Sequence, residues 1–321
     1  MKNLNMNKSI LKLLLMISTS TSLFSSEFIT LGTGEENGTY YPVGLSMCKF
    51  INQQQKEIKC SVESTYGAIY NINAVLNDEF NFGISQSDTI YHAINNEMNF
   101  KKINTKNLRS IIAIYPELFT FIVNQKSNIK TIEDIKGKRI NIGSPHSGSE
   151  LSTLDVLAKF NIKKSDLALS SSLNAMDTAD ALRDDRIDGY FFMVGHPTKN
   201  IRDAIESLAV SIIPITGKKV DQLVKEKSYF TKSFIDADLY DEIDTSIDTI
   251  GTKSVIISSA DVSDELVFNF VKIIMENFDE FKKTHGVYKN LTKESLFQGL
   301  TAPEHNGVLK YLEENKLQNR H

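Results

Sequence analysis

Side chains that could support covalent or metal chemistry are few and scattered along this 321-residue chain. The six histidines are His92, His146, His196, His285, His305 and His321. No His-Glu-x-x-His helix joins any two of them, and no metal site is expected. Only His146 and His196 fall on loops at the ends of expected strands. Both stand next to proline and read as ordinary polar loop residues. Ser144, Ser147 and Ser149 share a glycine-containing loop, but no Gly-x-Ser-x-Gly elbow frames them. Acid–base or nucleophilic catalysis needs a tuned partner within reach, and no such pair is apparent. The chain is therefore not read as an enzyme.

Hydrogen-bond donors are what the sequence offers instead. Ile29 to Pro42 reads Ile-Thr-Leu-Gly-Thr-Gly-Glu-Glu-Asn-Gly-Thr-Tyr-Tyr-Pro: a short strand, a loop carrying Gly32, Gly34 and Gly38, and a helix start. Arg139 to Leu157 repeats that order, with Ser144, Ser147, Gly148 and Ser149 in its loop. Backbone N–H groups at a helix start form a ready anion site. The first loop is one residue too long for the dinucleotide fingerprint, whose third glycine serves close helix–strand packing. No Walker loop is present, and no cofactor is expected. The donor-rich, charge-poor groups at strand ends are Gly34, Asn37, Gly38, Thr39, Tyr40, Gln86, Ser87, Ser147, Gly148, Ser149 and Gly195. Such groups suit reversible capture of a small anion or zwitterion.

The elements that must position these groups alternate. Helices are expected over the apolar stripes after Pro42, at Ala68–Leu76, Thr89–Asn95, Ser149–Phe160, Thr198–Leu208, Gly217–Glu226 and Asp264–Phe278. Strands fall between them at Lys59–Glu63, Phe80–Ser85, Ile140–Gly143 and Ile187–Met193. Alternation of this kind predicts mostly parallel sheets flanked by helices. Leu108 to Val123 differs: two apolar runs are broken by Pro116, which cannot donate to a ladder. It reads as one strand leaving a first lobe and another entering a second. Phe230 to Asp248 is acidic and poorly periodic and reads as an extended connection. Thr252 to Ile257 reads as the strand returning to the first lobe.

Composition sets the outer bounds. The length allows two domains, and 41 % hydrophobic residues allow a substantial core. A net charge of −4 without a basic block argues against nucleic acid. Lys2 and Lys8, the apolar Ile10–Ile17 and the small polar Ser18–Ser26 have the three-part order of an export signal. Its cleavage is expected between Ser22 and Ser26, and its apolar core is too short to span a bilayer. No cysteine near the cut offers a lipid anchor. Cys48 and Cys60 could pair in an exported protein, but two buried thiols are the preferred reading. The expected division is a signal at 1–25, one lobe from 26–115 with 250–321, and a second from 116–249.

Taken in order and spacing, several motifs resemble one family. They are Gly32-Thr33-Gly34 with Gly38-Thr39-Tyr40-Tyr41-Pro42, Gln86-Ser87-Asp88, Tyr115-Pro116-Glu117, the Asp-x-Lys-Gly-Lys core within Ile132–Lys138, Ser147-Gly148-Ser149-Glu150, Phe191-Phe192 with Gly195 and Pro197-Thr198, and Ala302-Pro303-Glu304-His305. The chain resembles the TAXI solute-binding proteins, the receptor subunits of TRAP transporters, from about Phe28 to Tyr311. The resemblance implies a two-lobed α/β periplasmic binding protein fold closing about crossing hinge strands, and delivery of ligand to TRAP-type membrane permease subunits. It implies a periplasmic receptor, expected to be a monomer, for a small organic acid or amino acid, glutamate-like and dicarboxylate compounds among them. Tyr115 joins the donor groups above as an expected ligand-binding residue. Glu35-Glu36-Asn37 departs from the family's more usual glycine-rich spacer, and His146 and His196 replace small residues. The acidic pair either faces solvent or favours a ligand with an amino group. A sensory module reporting to a membrane kinase, and a periplasmic hydrolase using Ser147 or Ser149, are the alternative readings.

Overall fold

Two long strands carry the architecture, and both run through the middle of one sheet. A computed structural model describes residues 27–55 and 58–317. The export signal expected at 1–25 lies outside the described residues. The strands are β1 (Glu27–Gly32), β2 (Ile58–Glu63), β3 (Phe82–Gln86), β4 (Leu108–Asn124), β5 (Arg139–Asn141), β6 (Leu169–Ser171), β7 (Gly189–Val194), β8 (Val210–Ile212), β9 (Thr231–Ile235) and β10 (Ile247–Ser259). The helices are α1 (Tyr40–Gln54), α2 (Ala68–Leu76), α3 (Ser87–Ile94), α4 (Gly148–Lys159), α5 (Ala175–Arg183), α6 (Lys199–Ser207), α7 (Lys218–Glu226), α8 (Asp264–Glu276), α9 (Phe278–Lys282) and α10 (Asn306–Glu314).

The sheet order is β2-β1-β3-β10-β4-β7-β5-β6, with β8 on β4 and β9 on β10. Parallel strands occupy each end: β1 pairs with β2 and β3, and β5 pairs with β6 and β7. The antiparallel pair β4 and β10 joins the two ends. Parallel strands need crossover helices on their faces, and the described helices supply them. Two apolar clusters enclose the first end, one around α1 and α8 and one around α2 and α3. Two more enclose the other end, one around α4 and α7 and one around α5 and α6.

Helix α8 shows how the sequence builds this core. Ser263 caps its start by accepting from the Leu266 N–H. Leu266, Val267, Phe270, Val271, Ile273, Ile274 and Met275 are buried along its inner face. Each such side chain contributes about 1.5–3 kcal/mol by leaving water.

Three expectations change in the structure. Leu108–Asn124 is one continuous strand of 17 residues, not two. Pro116 stands opposite Lys253, beside a register shift between Ser254 and Val255. At such an irregularity its missing N–H removes little from the ladder. The stretch Phe230–Asp248 is not merely a connection: it contains β9, paired antiparallel to Ile247–Gly251. That strand is largely exposed and shows no clean alternation, so its apolar signal is weak. Finally, Cys48 and Cys60 form a disulfide, with Cα atoms 4.9 Å apart. The buried face of α1 packs on β2, which brings the two within bridging range. The expectation of two free thiols lacked this packing.

The bridge closes a loop of sequence separation 12, which limits the unfolded chain and contributes about 3 kcal/mol on the chain-entropy estimate. Replacing both cysteines with alanine is expected to lower the urea midpoint accordingly under oxidising conditions, and dithiothreitol is expected to reproduce the loss in the unaltered protein. Identical midpoints for bridged and unbridged protein are the contrary result.

Candidate functional site

Each glycine-containing loop is held by side chains rooted in its own end of the sheet. At the end of β1, the Thr33 N–H and hydroxyl both donate to the Glu63 carbonyl, at 2.9 and 2.6 Å. Buried Asn71, on α2, donates to the carbonyls of Thr33 (2.6 Å) and Ile84 (2.7 Å). It thereby ties the ends of β1 and β3 together. At the end of β5, Asn141 plays the matching part: its Oδ1 accepts from the Leu173 N–H at 2.7 Å. Ser147 caps α4, accepting from the Glu150 N–H and donating to the Ser144 carbonyl. The Ser149 hydroxyl accepts from the Met193 N–H at 3.1 Å and locks α4 onto β7.

The two loops face one another across a single cleft of about 660 Å³, part of it solvent at the mouth. Of the residues expected at the site, Gly34, Gly38, Thr39, Tyr40, Gln86, Ser147, Gly148, Ser149 and Gly195 line it. Hydrogen bonds bridge it directly. The Thr39 hydroxyl donates to the Gly195 carbonyl at 2.8 Å. The Glu35 carboxylate reaches the opposite loop, accepting from the Ser144 hydroxyl (2.7 Å) and the Ala175 N–H (2.6 Å).

Asn37, Ser87 and Tyr115 do not line the cleft. The Asn37 carbonyl accepts from Thr198 at 3.4 Å, so it joins the two sides outside the cavity. The Ser87 hydroxyl accepts from the Lys253 N–H (3.1 Å), and its carbonyl accepts from Thr301 (2.7 Å). The first of those bonds anchors β10 at the crossing, and the second ties the segment before α10 to the start of α3. The Tyr115 ring lies directly behind Gly195, where an added Cβ would stand 2.5 Å from it. Tyr115 is thus a wall behind the site, and only glycine fits in front of it. His196 is on the expected loop between β7 and α6 but is buried, with Nε2 2.8 Å from the Thr120 hydroxyl and Nδ1 2.8 Å from the Tyr240 hydroxyl. Burial pushes its imidazole down to about 3, so it is neutral.

Glu117 is a cleft residue that sequence reasoning missed as such. It stands on β4 at the crossing, is 2 % exposed and lines the cavity. The Tyr40 hydroxyl donates to its Oε1 at 2.8 Å. Burial raises its carboxyl from an ordinary 4.5 to about 8; nearby Asp88 adds to the rise, and the Tyr40 hydrogen bond opposes it. Its sequence signals are an acidic residue beside proline inside an apolar run and its place in the Tyr115-Pro116-Glu117 motif. Gln86 also has an unmet requirement: it is 2 % exposed, and its Nε2 has no partner. Phe191, Phe192 and Met193 also line the cleft, and among the described residues the lining contains no lysine, arginine or histidine.

Two parallel ends joined by crossing strands, with one cleft between their loops, define the two-lobed fold of the periplasmic binding proteins. Comparison with solved structures agrees. A protein of Bordetella bronchiseptica RB50 superposes with a TM-score of 0.56 at 14 % identity, covering 91 % of this chain and 99 % of that one. MatC from Rhodopseudomonas palustris, solved with bound malate, gives 0.56 at 10 % identity over 91 % and 96 %. The family model described as NMT1-like matches residues 31–315. The chain belongs to the NMT1-like family.

Glu117 makes stability depend on pH. Between about 4.5 and about 8 the unfolded chain has released a proton that folded Glu117 retains, so stability falls as pH rises through that window, by at most about 1.4 kcal/mol per pH unit. Glu117→Gln keeps an acceptor for Tyr40 and removes the titration. The variant is expected to match the parent in urea melts at pH 5 and to exceed it at pH 9. Parallel profiles for the two proteins contradict this.

Proposed function

We propose that this protein is an extracytoplasmic solute-binding receptor that captures a small organic acid or amino acid and delivers it to a TRAP-type membrane transporter. One observation carries the reading: loops from opposite ends of the sheet, each at a helix start, line one shared cleft. In this reading residues 26–115 with 250–321 form one lobe and 116–249 the other, and they close about β4 and β10. Hinge closure around ligand is a recognised motion of periplasmic binding proteins. The donor character of the cleft supports an acid or zwitterion, and the malate held by MatC supports the carboxylate class. The TRAP partner rests on the motifs that resemble the TAXI receptors. A periplasmic location follows from the same reading and from the signal-like Lys2–Ser26.

Binding is favoured over hydrolysis by what the two candidate nucleophiles do. Ser147 caps α4 and Ser149 bonds to β7. His146, their sequence neighbour, is exposed, and no histidine joins the serines in the cleft lining.

A molecule that binds only the folded form raises its stability, by about 2.7 kcal/mol at a hundred times Kd. Thermal melts of the mature protein against a panel of amino acids and organic acids are expected to show a saturable rise for at least one member. A panel without any rise contradicts the receptor reading.

A further inference from the structure

The cleft has two places where a carboxylate meets donors, and the protein already fills one of them. The first is the start of α4. Gly148 and Ser149 are buried there and line the cleft. Gln86 comes from the opposite side and packs so closely that a Cβ on Gly148 would sit 1.3 Å from its Oε1. Its buried Nε2 has no partner among the described residues. An amide donor buried without a partner is costly, and an acceptor on a guest molecule would relieve it.

The second place is the start of α5. Its first N–H, from Ala175, and the Ser144 hydroxyl converge on one carboxylate, which is that of Glu35. Two oxygens accept one donor each, as the acid group of a ligand would. Glu35 arrives from the loop before α1, so the occupant is part of the chain and crosses the cleft to get there. Glu36, its neighbour, is exposed.

The charge balance follows. Among the described residues, two carboxyl groups, Glu35 and Glu117, line the cleft, and no cationic side chain does. Glu117 holds its proton up to about pH 8, so a second carboxylate on a ligand would meet the Glu35 carboxylate without compensation. An ammonium would meet the Glu35 carboxylate, and its charge would favour ionisation of the Glu117 carboxyl beside it. Phe191, Phe192 and Met193 leave an apolar wall for the remainder of the molecule.

We propose that Glu35 is an internal carboxylate that fills one of two anion positions, so that the cleft accepts an amino acid with one carboxylate and an uncharged side chain and refuses dicarboxylates. This inference rests on the receptor reading and narrows its ligand class. The ligand's carboxylate lies at the α4 start with Gln86, and its ammonium faces Glu117 and Glu35.

The test is calorimetric titration of protein freed of co-purified ligand by unfolding and oxidative refolding. The probes are alanine, valine, leucine and glutamine as neutral amino acids, 4-methylpentanoate as the amine-free analogue of leucine, and succinate, malate and glutamate as compounds with two carboxylates. The unaltered protein is expected to bind at least one neutral amino acid more tightly than 4-methylpentanoate and every dicarboxylate. Glu35→Ala is expected to gain roughly tenfold to a hundredfold in dicarboxylate affinity relative to the neutral amino acid. Glu35→Gln, which keeps an acceptor for the Ala175 N–H, is expected to gain less and guards against misfolding of the alanine variant. Tightest binding of a dicarboxylate by the unaltered protein, or an unchanged preference in both variants, overturns the inference and leaves the receptor reading standing. Binding of no probe at all overturns both.

Discussion

Everything in this molecule depends on the antiparallel pairing of β4 with β10 where the two strands pass from one end of the sheet to the other. Leu118 pairs with Gly251, Glu117 with Thr252 and Tyr115 with Ser254. The strands approach so closely that a Cβ at Gly251 would stand 2.6 Å from the Glu117 carbonyl oxygen. On one side of this crossing β4 pairs with β10 and, at Ser110, bridges Glu304; on the other it takes up β7 and β8. The parallel ends never pair with each other directly in the sheet. The cleft lies between those ends, and its rear boundary is the crossing itself, with Glu117 in the lining and Tyr115 behind Gly195.

Buried polar groups concentrate around that crossing. Low dielectric raises the stakes for each of them, since an unpaired buried group is expensive and a paired one fixes geometry. Asp88 accepts from Ser152 across the two sides and from its neighbour Thr89, and burial still holds its carboxyl up at about 6. Further from the cleft, the Tyr229 hydroxyl meets His92 Nε2 at 3.2 Å and donates to Asp155. His92 Nδ1 meets Glu97 at 2.8 Å. A second band of contacts thus joins the same two ends as the Glu35 and Thr39 bonds. The ends are held on two sides of the crossing by hydrogen bonds that solvent could replace on opening, and by apolar contacts in which Leu151 of α4 joins the cluster around α2 and α3 and Tyr91 of α3 packs on the cluster around α4 and α7.

Local chemistry accounts for what was legible beforehand. The stripe of α8 and the strand–loop–helix units at Ile29 and Arg139 are readable because each depends on neighbours a few residues away. Apolar periodicity also marked the α2 and α4 faces. Where the signal is not local, the reading failed. The disulfide depends on α1 lying against β2. Strand β9 has a mostly exposed pattern and exists through pairing with β10. Asn71 interrupts an apolar helix face without any sequence sign of the strand ends that it ties together.

The residue pattern alone determined the two donor-rich loops, the alternation of helices and strands and the scarcity of catalytic groups, because backbone conformation and apolar spacing are written within short windows. Only the tertiary structure decided which donors remain free. Glu35 turned out to satisfy the α5 start from across the cleft, Ser87 was drawn into anchoring β10, and Glu117 became a buried acid in the cleft wall. Each outcome is set by groups far away in the chain, and desolvation by those distant groups determines the charge and hydrogen-bond demand of every cleft residue.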